Sequence, residues 1–153
     1  HPGHHLFLAG PDDGEQAELE SLLALAPQSN VTLLGGVYGD AKVELLQQSH
    51  VYLLPSFSEG FPTSVLESMA AGMVTVITKG CNFPEAIKAG KAWETTPNEG
   101  DILKVLNRIW ASSPEDLSLM AREASGWVMA QYSLKQIAEQ QARFYRQLLP
   151  NGV

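Results

Sequence analysis

Short apolar runs alternate with longer stretches of helical period along this 153-residue chain, and that alternation restricts its fold more than any other feature. Leu6–Ala9 reads as a buried strand, followed by the turn Gly10-Pro11-Asp12-Asp13-Gly14. A helix then carries apolar residues at Leu19, Leu22, Leu23 and Ala26, and Pro27 limits it. Val31–Leu34 is a second strand ending in Gly35-Gly36, Asp40 can cap a short helix through Gln48, and Val51–Leu54 is a third strand. Pro62–Ala71 reads as helix and Met73–Ile77 as a fourth strand. A short helix opened by Pro84 and a weak strand near Ala92–Thr95 complete the series. Strands and helices in turn favour a parallel sheet with helices on both faces.

The last third is helical. Asn98 precedes Ile102, Leu106, Ile109 and Trp110 at helical spacing. Ser113-Pro114-Glu115-Asp116 supplies a cap, a proline at the first helical position and acids in the first turn, ahead of the face Leu117, Met120, Ala121, Ala124 and Trp127. Ser133-Leu134-Lys135-Gln136 fits a capping box, and the stripe behind it, Leu134, Ile137, Gln141, Tyr145 and Leu148, is expected to be chiefly core. The expected fold is α/β: a Rossmann-like three-layer sandwich, with a parallel sheet of about five strands flanked by helices and a helical carboxyl-terminal third. No linker, repeat or low-complexity stretch divides residues 1–153, so one domain is expected.

Composition narrows the partners. Seventeen acidic residues against ten basic ones give a net charge of −7, and no basic cluster offsets it, which argues against nucleic acid or an anionic membrane surface as the main partner. Apolar runs such as Val51–Leu54 and Met73–Ile77 are far short of the roughly 20 residues that span a bilayer. Cys81 is the single cysteine, so no intrachain disulfide is possible and a reducing compartment is expected. The chain opens on His1, which reads as a processed start or a piece of something longer.

In an open parallel sheet, ligands bind at the carboxyl ends of the strands. Three strand-to-helix loops there are rich in glycine or small polar residues: Gly10–Gly14, Gly35–Asp40 and Ser56–Ser64. At about 100° per residue, Gly60, Thr63, Ser64, Glu67 and Ala71 share one face of the helix that the third loop opens, while Val65, Leu66 and Met69 take the opposite face. Free N–H groups and the positive dipole end suit a phosphate oxygen. Pro62 has no N–H, which leaves Phe61, Thr63 and Ser64 as donors, and Gly60 permits close approach. Glu67 lies roughly 7 Å along the axis from the helix start, where it can grip a vicinal diol such as a ribose without strongly repelling the phosphate. Glu59 points beyond the phosphate, toward sugar hydroxyls. From spacing alone, the simpler reading is that Glu67 is a solvated helix acid and Glu59 a loop acid favoured by the dipole.

The segment Ser56-x-x-Glu59-Gly60-Phe61-Pro62-x-x-x-Leu66-Glu67-x-Met69-Ala70-x-Gly72 resembles the signature of retaining, nucleotide-sugar-dependent glycosyltransferases of family 4 (group 1), which have the two-lobed GT-B fold. Leu6–Gly10, Val31–Val37, Met73–Ile77, Pro84–Ile87 and the Tyr132-Ser133 helix resemble the family's carboxyl-terminal, donor-binding lobe in the same order. The resemblance implies transfer of a sugar from a nucleoside diphosphate sugar to an acceptor hydroxyl. It implies that Glu59 contacts donor-sugar hydroxyls near the reacting centre as the catalytic residue. Gly60, Phe61, Thr63 and Ser64 would hold the sugar and diphosphate, Glu67 the ribose, and Val37 the base. No metal or other cofactor is implied. Charge on the leaving diphosphate falls to helix-end amides and basic side chains.

The chain departs from the family pattern at its start. An Arg and a Lys from an opening strand–helix unit clamp the diphosphate in the family, whereas this sequence has no Arg or Lys before Lys42. The opening unit and the amino-terminal acceptor lobe are therefore expected to be missing, with this chain a fragment of the enzyme. The missing lobe would be its partner and the route of any membrane contact. The expected location is cytoplasmic, extending to a peripheral one at the inner membrane face. Lys79 is the one cation after the fourth strand and reads as an exposed loop lysine. In the family the terminal segment crosses toward the other lobe, which would expose Phe144, Tyr145 or Leu149. His1, His4 and His5 read as a frayed terminus over a metal site, and Cys81 has no adjacent base. Two alternatives stay open: an epimerase-like lobe acting on nucleotide sugars, and a non-catalytic α/β nucleotide-binding module. The absence of GxGxxG and Walker A patterns weakens the second.

Overall fold

The computed structural model describes residues 3–26 and 30–148 of the chain; Pro27 and Leu149 lie outside them, as does His1. Two compact units divide the chain, His1–Leu45 and Leu46–Val153. All five expected strands are present and all pair in parallel. They form one two-stranded and one three-stranded sheet rather than a single ladder of five. Alternation along the sequence thus sets the α/β class and the number and direction of the strands.

The first unit contains β1 (Leu6–Ala9), α1 (Gln16–Leu25), β2 (Val31–Gly35) and most of α2 (Gly39–Gln48). Leu6 pairs with Val31 and Leu8 with Leu33. After β1, the Asp12 carboxylate accepts from the Gly14 and Gln16 amides at 2.8 and 3.2 Å and so shapes the turn into α1. The expected burial of β1 is overturned: Leu6 and Phe7 are 46% and 45% exposed. Two strands and two ten-residue helices enclose too little volume to sequester apolar side chains.

The second unit contains β3 (Val51–Leu54), α3 (Thr63–Ala70), β4 (Val74–Thr78), a 3-10 turn at Lys79–Cys81, α4 (Pro84–Lys88), β5 (Trp93–Thr95), α5 (Glu99–Ala111), α6 (Pro114–Tyr132) and α7 (Leu134–Leu148). Its sheet order is β3-β4-β5, and every residue of the central strand β4 is buried. Period-two alternation separates two cores. Val51, Leu53, Val74 and Val76 pack with Val105 and Ile109 of α5 and with Ala121. Tyr52, Leu54 and Ile77 pack with Val65 and Met69 of α3 and with Ala124 and Val128. This unit is a three-layer arrangement in its own right, with the sheet between α3 and α5.

Ser113 and Ser133 cap their helices as expected and Asn98 adds a further cap, whereas Asp40 lies within α2 as its second residue and not ahead of it as a cap. Asn98 accepts from the Asp101 amide at 3.0 Å, Ser113 from Asp116 at 3.1 Å and Ser133 from Gln136 at 3.5 Å. The final helix departs from the sequence expectation. None of its residues is buried, and Leu134 is 91% exposed. Its period marks an apolar stripe without specifying what covers it, so the stripe is not core within this chain.

Candidate functional site

The Ser56–Pro62 loop joins β3 to α3 and is held by contacts from the end of β4 and the turn that follows it. The Glu59 amide donates to the Gly80 carbonyl at 2.7 Å, and the Asn82 side-chain amide donates to the Glu59 carbonyl at 2.6 Å. The Ser56 hydroxyl donates to the Glu59 carboxylate, and the Thr78 hydroxyl donates to the Ser56 carbonyl. Glu59 is half-buried, with backbone and side chain both anchored.

Pro62 occupies the N-cap of α3 and has φ −80° and ψ 80°. Its carbonyl accepts from the Val65 and Leu66 amides at 3.0 and 3.4 Å. The Thr63 amide turns back to the Phe61 carbonyl at 2.9 Å. This corrects the expectation that Thr63 offers a free donor: the proline ahead of it tightens the chain into a local turn that takes up its N–H. Among the described residues, the Phe61 and Ser64 amides donate to no backbone carbonyl. Thr63 and Glu67 lie on the exposed face of α3 with Ser64 half-buried beside them, opposite the fully buried Val65 and Met69. The facial division read from the sequence holds.

The Phe61 ring, 56% exposed, joins an aromatic cluster. Its centroid lies 6.1 Å from Phe83 and 6.3 Å from Tyr132, and Trp127 lies 5.8 Å from Phe83. The loop is thereby fastened to α4 and the end of α6 through ring contacts. Val37 is half-buried between β2 and α2 in the first unit; the other expected site residues gather in the second. Lys79 is exposed and lies 3.6 Å from the Glu94 carboxylate. Cys81 is buried, with its thiol donating to the Leu54 carbonyl at 3.4 Å. Among the described residues no group of three or more His, Cys, Asp or Glu side chains is arranged to hold a metal ion.

Two participants escaped the sequence reading. Tyr52 on β3 hydrogen-bonds the Ser64 side chain. Burial pushes the pKa of its hydroxyl up, the Ser64 bond draws it down, and Cys81, Glu59 and Glu67 add to the rise. The alternation that sends Tyr52 and Leu54 toward α3 could have signalled this. Asn82 sits at φ 51°, a left-handed conformation that Asn tolerates better than most residues; nothing in its sequence neighbourhood points to Glu59, 23 positions away. Chemically, the site offers two carboxylates as acceptors for hydroxyls and unengaged amides at a helix start as donors to an anionic oxygen.

The family model for group 1 glycosyl transferases matches residues 1–127. The chain belongs to that family. Over 111 residues this glycosyl transferase chain is 31% identical to the N,N'-diacetylbacillosaminyl-diphospho-undecaprenol alpha-1,3-N-acetylgalactosaminyltransferase of Campylobacter jejuni, covering 71% of the chain and 29% of that protein. It is 28% identical over 110 residues to the gpi3 subunit of the phosphatidylinositol N-acetylglucosaminyltransferase of Schizosaccharomyces pombe, covering 71% and 24%. Anabaena HepE, solved in complex with UDP-glucose, superposes with a TM-score of 0.81 at 21% identity over 96% of the chain and 42% of HepE, a likeness of fold. The matched region is thus less than a third of the length of either curated relative. Among the described residues of the group 1 chain, no helix is long and apolar enough to cross a membrane.

Proposed function

We propose that this chain is the carboxyl-terminal, donor-binding lobe of a retaining glycosyltransferase that moves a sugar from a nucleoside diphosphate sugar to an acceptor hydroxyl. The observation that carries this reading is the anchored Glu59 beside an α3 start that carries half-buried Ser64 and exposed Glu67. Family membership and the UDP-glucose in HepE support it.

In this reading Glu59 is the catalytic carboxylate and accepts from hydroxyls of the donor sugar near the anomeric carbon. The Gly60–Ser64 segment receives the sugar and diphosphate, with the Phe61 and Ser64 amides as the oxyanion donors. Thr63 contributes its hydroxyl in place of its engaged amide. Glu67 accepts from the two ribose hydroxyls, and Val37 meets the base. As the anomeric C–O bond breaks, its electron pair leaves on the diphosphate, the acceptor oxygen bonds the same face of the carbon, and the acceptor's proton passes to the departing diphosphate oxygen. Fixed amide dipoles aimed at that growing charge lower the barrier without a resident metal. The clamping cations and the acceptor lobe belong to parts of the enzyme outside this chain, as does any peripheral contact with a membrane; the location is cytoplasmic.

In the full-length enzyme, Glu59→Gln keeps the shape of the side chain and removes its charge. Transfer is expected to fall by about 100-fold or more, the scale of losing one transition-state contact. Unchanged transfer removes Glu59 from the reaction.

A further inference from the structure

Glu59 is held at three points, and two of them come from the segment after β4. Its amide donates to the Gly80 carbonyl at 2.7 Å, its carbonyl accepts from the Asn82 side chain at 2.6 Å, and its carboxylate accepts from Ser56. Asn82 can make this reach because it ends the 3-10 turn in a left-handed conformation, with its own amide bonded to the Lys79 carbonyl at 3.1 Å. The Asn82 side chain is exposed, so burial does not demand a partner for its amide. Its bond spans 23 residues and ends on the backbone of the one loop residue whose carboxylate faces the candidate donor sugar.

We propose that Asn82 is a positioning residue for Glu59, setting the carboxylate where it discriminates a nucleotide sugar from the bare nucleotide. The inference rests on the donor-lobe reading above. A side-chain anchor on the Glu59 carbonyl restricts rotation about the peptide that carries the carboxylate. Ser56 then fixes the carboxylate itself, and Thr78 fixes Ser56 through its carbonyl. The three bonds form one frame tied to β4, the most buried strand of the unit. Pre-setting a ligand group in this way removes an ordering cost that binding would otherwise meet. The effect belongs to the sugar, because Glu59 reaches hydroxyls and not the nucleotide.

Asn82→Gly tests this directly. Glycine adopts the same left-handed conformation without strain, so the turn is retained and only the amide donor is lost. Asn82→Asp is the second variant: it also tolerates that conformation, but its carboxylate cannot donate to the Glu59 carbonyl. Affinities for UDP, GDP and ADP, and for the glucose ester of each, are measured by NMR titration of the chain, alongside thermal unfolding. With whichever nucleotide the wild type prefers, both variants are expected to bind the sugar ester about three- to tenfold more weakly, the scale of one hydrogen bond, while the bare nucleotide binds within about twofold of wild type. Equal weakening of ester and nucleotide, or no weakening in either variant, overturns the positioning role and leaves the donor-lobe reading standing. A wild-type chain that binds none of the six ligands at millimolar concentration overturns both.

Discussion

A methyl group placed on Gly80 would sit 2.6 Å from the carbonyl oxygen of Ser56 and would meet the Phe57 carbonyl as well. Two backbones are therefore in direct contact where the β3–α3 loop crosses the turn after β4. The atoms met are backbone carbonyls of Ser56 and Phe57, with no flexible side chain to yield. Gly80→Ala is expected to destabilise the chain by about 1–3 kcal/mol, the cost of forcing one carbon into a packed site, and to disturb the Glu59–Gly80 bond. Urea unfolding measures the first, and loss of hydrogen-exchange protection at the Glu59 amide the second.

The Tyr52–Ser64 bond makes a titration prediction. Burial holds the phenol's pKa above its ordinary value, and the Ser64 hydroxyl opposes that shift. Removing the hydroxyl in Ser64→Ala is expected to move the Tyr52 midpoint further up, observable with ring-labelled tyrosine. Tyr52→Phe is expected to cost about 1 kcal/mol, one neutral hydrogen bond.

At the start of α5, Lys104, Thr96 and Asn98 all bond the Asp101 carboxylate and hold its pKa well below the usual carboxylate range, with Lys104 the largest influence. A group with a depressed folded pKa adds stability that is present above its unfolded pKa of about 3.9 and fades as pH falls through the lower folded value. Lys104→Met is expected to raise the Asp101 midpoint more than Thr96→Val, as read by carboxyl carbon NMR. The reverse order would contradict the ranking of those partners.

Core placement predicts an asymmetry in stability. Fully buried Met69 packs against the α3 side of the three-stranded sheet, whereas Leu22 on α1 is half exposed. Met69→Ala is expected to cost about 2–5 kcal/mol, and Leu22→Ala under about 1 kcal/mol, since little of its side chain leaves water on folding.

Much of this is legible in the sequence itself. Val51–Leu54 and Met73–Ile77 were readable as strands, displaced by at most one residue, because parallel strands buried on both faces run as continuous apolar stretches. Ser113 and Ser133 are readable as caps because capping is local. The α3 face bearing Ser64 and Glu67 followed from helical period alone. Strand pairing, the exposure of Leu6 and Leu134, and the grip of Asn82 on Glu59 were not legible. Each depends on residues distant in sequence meeting, or failing to meet, in space. The loss of the Thr63 amide to Phe61 depends on the backbone angles at Pro62, which residue identity alone leaves open.

The donor-lobe reading is tested most directly by an amide-resolved titration of the chain with UDP-, GDP- and ADP-sugars. Saturable shifts centred on Gly60, Phe61, Thr63, Ser64 and Glu67, with at least one of these donors, are the expected result. Silence across Gly60–Glu67 with every donor at millimolar concentration would contradict it.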